Sequence, residues 1–245
     1  MLTKTLLLAP ALLLAATIAL WGFLWGFSSP EAAANESLTP LERLESGNER
    51  FASGEPARLH QSFERRSEVA RGQAPMAVIV GCADSRVPPE LVFDQGLGDL
   101  FVVRCAGNVL GAAALGSIEY AVEHLGCELV VVLGHERCGA VDAVLKGGEL
   151  PGHLAAFVPV ISRVLLEAEH LGGDVLDQAV RLNARRIAGD LRASDPILLE
   201  LVHARKLTIV AARYDLDTGA VEWLDVVEDD PFEESVPEHG AHAPD

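Results

Sequence analysis

Two stretches of this chain end an apolar run in residues that bind metals or move protons. Met76–Arg86, MAVIVGCADSR, passes from aliphatic residues through Gly81 to Cys82, Asp84 and Arg86. Leu129–Ala140, LVVVLGHERCGA, has the same plan and delivers His135 and Cys138. Two thiolates and an imidazole form a borderline-soft donor set that suits zinc. Three ligands without an obvious fourth point to a catalytic site with one open coordination position, because structural sites are usually closed by four. Zinc acidifies a bound water enough to supply hydroxide near neutral pH. Thiolates leave more negative charge on the metal than imidazoles do. That water should then be less acidic than in a three-histidine site, and the rate should climb towards alkaline pH.

Asp84 and Arg86 stand two and four residues beyond Cys82. An arginine can grip a carboxylate through two charge-assisted hydrogen bonds, which would keep Asp84 ionised and aimed as a proton acceptor. A plain loop salt bridge, or Asp84 itself as a fourth ligand that closes the site, are the other readings of the pair. His135-x-x-Cys138 puts both side chains at one helix entrance, where the helix dipole and free N–H groups favour a thiolate at Cys138. His124, His153, His170 and His203 fall within predicted helices and read as structural or surface residues.

The elements that must position these groups follow from periodicity. Strands are expected at 76–80, 100–104, 129–133 and 207–212. Asp217-Thr218-Gly219 then turns the chain into an antiparallel edge strand at 221–224. Helices are expected at 111–125, 138–145, 153–171 and 175–191, with another capped by Ser194-Asp195-Pro196; residues 91–97 read as a loop or short helix. Strands separated by helices imply an α/β fold with a mostly parallel sheet covered on both faces. If the first four strands lie in the order 2-1-3-4, the first and third are neighbours at a topological switch point, where ligands bind. Cys82, His135 and Cys138 all fall there. The segment from Asn35 to about Gln73 reads as a helical arm too poor in apolar residues to form a core alone, so it must lie on another surface, such as a partner subunit.

With 245 residues, 49% of them hydrophobic, the chain suits one sizeable domain. A net charge of −17 without a basic stripe argues against a nucleic-acid partner. Residues 1–34 carry one lysine, a long apolar run and Ala32-Ala33-Ala34, the pattern of an export signal cut after Ala34. The apolar run is also long enough to remain as a membrane anchor, the one membrane contact expected. Either outcome takes the catalytic part, residues 35–226, out of the cytoplasm. Residues 227–245 form an acidic tail whose His239 and His242 read as solvated side chains. Export favours disulfides. Cys105 and Cys127, however, belong to opposite edges of the expected sheet, so no bridge between them is expected and both read as small buried residues.

The paired motifs C-A-D-S-R (Cys82–Arg86) and G-H-E-R-C-G (Gly134–Gly139) resemble those of the β-class carbonic anhydrases. The resemblance continues through Val87–Arg104, Ala106–Asn108 and Tyr214–Gly219, and spans the chain from about Leu38 to Val226. It implies one zinc ion per subunit on Cys82, His135 and Cys138, an Asp84–Arg86 dyad, and reversible hydration of CO2 to bicarbonate and a proton. It also implies substrate contacts from Gln95 and the N–H of Gly139. A homodimer or higher oligomer, with the arm laid across the partner, is implied as well. Two rivals keep the same residues: a hydrolase of carbon disulfide or carbonyl sulfide, and a catalytically silent zinc or bicarbonate-binding protein.

Overall fold

A computed structural model describes residues 38–224; the expected leader at 1–34 and acidic tail at 227–245 lie outside the described residues. The chain divides between Thr39 and Pro40, and the larger unit, from Pro40 onwards, holds the sheet and its helices. Among the described residues no helix is long and apolar enough to cross a membrane.

Five strands build one sheet: β1 (Ala77–Gly81), β2 (Leu100–Arg104), β3 (Leu129–His135), β4 (Thr208–Tyr214) and β5 (Val221–Trp223), in the order β2-β1-β3-β4-β5. The first four run parallel and β5 pairs antiparallel with β4, as expected from the sequence. β1 and β3 are buried at every position, which their run of β-branched residues permits only between two covering layers. Successive side chains point to opposite faces. Val78, Val80, Val130 and Val132 pack on one side with Ile118 of α4 (Ala112–Leu125), Leu191 of α7 (Val175–Arg192) and Leu198 of α8 (Ile197–His203). Ile79, Val131 and Leu133 face the other side, towards Leu44 of α1 (Pro40–Ser53) and Phe93, which follows α3 (Pro89–Val92). A third cluster, at the carboxyl ends of the strands, joins Cys82 and Cys138 to Ile161 of α6 (Val158–Leu171) and Val180 of α7.

The first helix shows one surface on which the arm lies. Leu44 is fully buried in the protomer's own core, and Asn48 donates from its amide to Val92 O at 3.0 Å and Gly219 O at 2.9 Å. The single face carrying Leu44, Gly47 and Asn48 suffices to dock α1 on its own domain; only α2 (Phe63–Val69) buries nothing. Gly47 makes that docking so close that a Cβ there would meet Phe93 O at 1.9 Å. Gly47→Ala should therefore destabilise the protein by about 1–3 kcal/mol through overpacking. A melting temperature unchanged from wild type would contradict this contact.

The expected helix 153–171 is two pieces. A 3-10 turn, Gly152–Phe157, precedes α6, which restarts with Pro159 in its first turn, where the missing N–H costs nothing. Pro196 itself occupies the N-cap of α8, and no side chain from Ser194 or Asp195 caps it.

Candidate metal centre

β1 ends at Gly81, and Cys82 is the next residue. β3 runs on to His135, paired with Tyr214 of β4, and Cys138 is the N-cap of α5 (Gly139–Leu145). Neighbouring parallel strands thus release their ligands on the same edge of the sheet. The ligand atoms of Cys82, His135 and Cys138 lie within 4.8 Å of one another, and all three residues are buried. The two sulfurs are 3.9 Å apart.

The donor set fits a metal ion. His135 Nδ1 lies 2.9 Å from Glu136 O, an acceptor only, so that nitrogen carries the proton. Nε2 then presents a lone pair, is fully buried, and has no hydrogen-bond partner. An orphaned buried acceptor is costly unless something fills its place. A cation between Nε2 and the two sulfurs satisfies it and offsets the charge of the thiolates.

Without such a cation two thiols at this separation share one proton. The bond with Cys138, aided by backbone N–H groups including that of Gly107, draws the Cys82 thiol down to about 4. Its negative charge and their common burial push Cys138 up instead. Of the two, Cys82 is the one drawn towards the charged form in the metal-free pair. The N–H groups of Ala140 and Val141 do favour a charged Cys138, but its charged neighbour outweighs them.

Asp84 and Arg86 form the expected grip. Arg86 donates from Nε to Oδ1 at 2.9 Å and from Nη2 to Oδ2 at 2.7 Å, and its backbone N–H reaches Oδ1 at 3.0 Å. These bonds hold the Asp84 carboxyl well below the usual carboxylate range. Its Oδ2 is 3.9 Å from His135 Nε2, beside the ligand trio and outside it.

The two remaining predicted residues fare differently. Gly139 is exposed at the first turn of α5, and a Cβ there would meet nothing within 4 Å. Gln95 is only 2% exposed, donates to Phe93 O at 2.8 Å and lies against Gly47. Within the protomer its amide serves the contact between α1 and the segment after α3.

Several supporting groups escaped the sequence reading. Arg104, the last residue of β2, donates from Nε to Cys82 O at 2.8 Å and from Nη2 to Asp84 O, so it clamps the loop that carries both. A charged residue closing an otherwise apolar strand beside the ligand-bearing one was the available signal. Arg137 bonds Asp217 through both terminal nitrogens, at 2.8 and 2.6 Å, while Leu216 N–H donates to Glu136 Oε2 at 3.1 Å. The Tyr214–Gly219 turn thereby anchors the His135–Cys138 loop. Cys105 is half-buried, more open than expected. Cys127 is buried, bonds Pro75 O, and has its thiol pushed up to about 11 by burial.

Comparison with known proteins gives one consistent outcome. The sequence profile of the family described as carbonic anhydrase matches residues 77–221. "Carbonic anhydrase 2" of Mycobacterium tuberculosis is 44% identical over 180 residues, covering 72% of this chain and 87% of the relative. A carbonic anhydrase of Mycolicibacterium smegmatis is 41% identical over 183 residues, covering 73% and 89%. Among solved structures, one of two tetrameric β-carbonic anhydrases of Sordaria macrospora superposes with a TM-score of 0.62 at 27% identity, covering 74% of this chain and 94% of that one.

Proposed function

The chain belongs to the β-class carbonic anhydrases, a family of enzymes, and on that premise we propose that it hydrates CO2 reversibly with one zinc ion held by Cys82, His135 and Cys138. The observation that carries this reading is the buried, partnerless Nε2 of His135 facing two sulfurs, with an ionised carboxylate alongside. Bound there, zinc supplies an acidified water as the nucleophile for CO2; the familiar neutral-pH value for that acidity belongs to three-histidine carbonic anhydrases.

The protein's own groups do the rest. Asp84 Oδ2, beside the trio, would accept the proton of the nucleophile that the metal supplies and so orient it. Arg86 keeps that carboxylate charged and immobile by occupying both its oxygens. Arg86 Nη2 also lies 3.4 Å from Arg137 O, which links the two ligand loops. We assign the N–H of Gly139 to a substrate oxygen, because it opens α5 next to Cys138 on an exposed residue.

Two further assignments complete the reading. The edge strand β2 leaves Leu100, Phe101, Val102 and Val103 half-buried, which together with the tetrameric fungal relative supports a homo-oligomer. The leader in residues 1–34 supports export, and sequencing the mature N-terminus tests whether it is cut.

Metal analysis combined with stopped-flow CO2 hydration tests the function. Stoichiometric zinc with turnover is expected; zinc without turnover favours a silent binding protein. The rate should rise with pH across the neutral range. Asp84 contributes no acid limb there, since Arg86 keeps it ionised well below the range measured. A rate that falls between neutral and alkaline pH contradicts the zinc-acidified nucleophile.

A further inference from the structure

The short turn Ala106–Asn108 after β2 takes no part in the chemistry above, yet it reaches into the metal-binding region at three points. Gly107 N–H donates to Sγ of Cys82 at 3.3 Å. Asn108, only 2% exposed, donates from Nδ2 to Val80 O and to Leu133 O, both at 2.9 Å. Asn183 of α7 in turn donates to Gly107 O at 2.9 Å. The turn is also wedged in place: Gly107 has φ 63°, and a Cβ on it would come within 3.1 Å of both Ala140 and Ile161.

Val80 and Leu133 belong to neighbouring strands, each two residues before a metal ligand. The pairing of β1 with β3 ends at Gly81 and Leu133. Beyond that point the ladder no longer fixes the gap between the ligand-bearing ends. A single amide with two N–H donors spans it from the side.

We propose that Asn108 is a positioning residue of the metal centre: its amide staples β1 to β3 and so sets the separation of Cys82 from His135 and Cys138. The proposal rests on the zinc reading above. Asparagine suits the place on two counts. It carries two donors on one short planar group, and it tolerates the left-handed backbone found there, φ 57°. Aspartate has the same shape and offers the two carbonyls no N–H. Glycine accepts the backbone and leaves the gap unbridged.

Asn108→Gly and Asn108→Asp, purified as zinc-loaded full-length protein, test this. Each should hold zinc about 10- to 100-fold more weakly than wild type in competition with a chelator, the range found when groups that orient metal ligands are removed. The thiolate charge-transfer bands of the cobalt-substituted variants should weaken and shift. Ile118→Val, in the core beneath α4, lowers general stability without touching the staple, and should stay within about twofold of wild type on both measures. A folded Asn108 variant that keeps its zinc as wild type does, with an unchanged cobalt spectrum, overturns the proposal. So does failure of both variants to fold while Ile118→Val folds, because the residue would then serve the fold at large. Wild-type protein without zinc would refute the zinc reading instead, before any variant is made.

Discussion

Asp84→Ala keeps its zinc and loses most of its turnover: kcat for CO2 hydration falls by about 10²- to 10⁴-fold, the usual worth of a positioned proton-transfer group. Asp84 stands outside the ligand trio, so metal content should match wild type. Its Oδ2 nonetheless lies 3.9 Å from His135 Nε2, and Arg86 fixes its orientation. Removing it leaves a nucleophile that rotates freely and a guanidinium without its partner. Stopped-flow hydration and metal analysis on the same sample decide the matter. Full turnover at full zinc occupancy would reject the role given to the dyad.

Oxidation of the metal-free protein should join Cys82 to Cys138 and abolish both zinc uptake and activity. The sulfurs are 3.9 Å apart, and a bond requires about 2.05 Å, a difference that side-chain rotation can supply. Cys82 is the thiol drawn below its ordinary range, by its bond to Cys138. Hydrogen peroxide oxidises one thiol of the pair to the sulfenic acid and is itself reduced to water; the other thiol condenses with it and releases a second water. Cys127 is a poor competitor, since burial holds its thiol up at about 11. Peptide mapping should find this one bridge, reductant should restore zinc binding, and prior zinc loading should prevent the reaction. A bridge through Cys105, or none, would mean that the two sulfurs do not meet.

The cluster of Cys82, His135 and Cys138 was legible because its residues follow apolar runs broken by glycine, and that pattern marks the end of a buried strand. The strand order was legible only through an assumption: periodicity locates strands but says nothing of which lie side by side. Arg104 and Asn108 were invisible for a related reason, since their work is done on carbonyls of strands remote in sequence. Counting apolar residues showed that the arm needs another surface and not which one; one fully buried leucine, one glycine and a bonding asparagine dock α1 on its own domain. Gln95 was assigned by resemblance, and its burial against Gly47 depends on the path of α1, which no local pattern reveals. The distribution of charge between the thiols was hidden too, because it is a property of the pair and not of either residue's helix or loop.

β1 stops pairing one residue before Cys82, whereas β3 stays paired through His135. One side of the centre is therefore anchored in the ladder and the other hangs beyond it. An ion that joins Cys82 to Cys138 bridges residues 56 positions apart that only the folded chain brings together, and so binds the folded state in preference to the unfolded one. Metal supply then enters the folding equilibrium itself. A cell short of zinc would hold less of this protein in folded form, as well as less of it in working order.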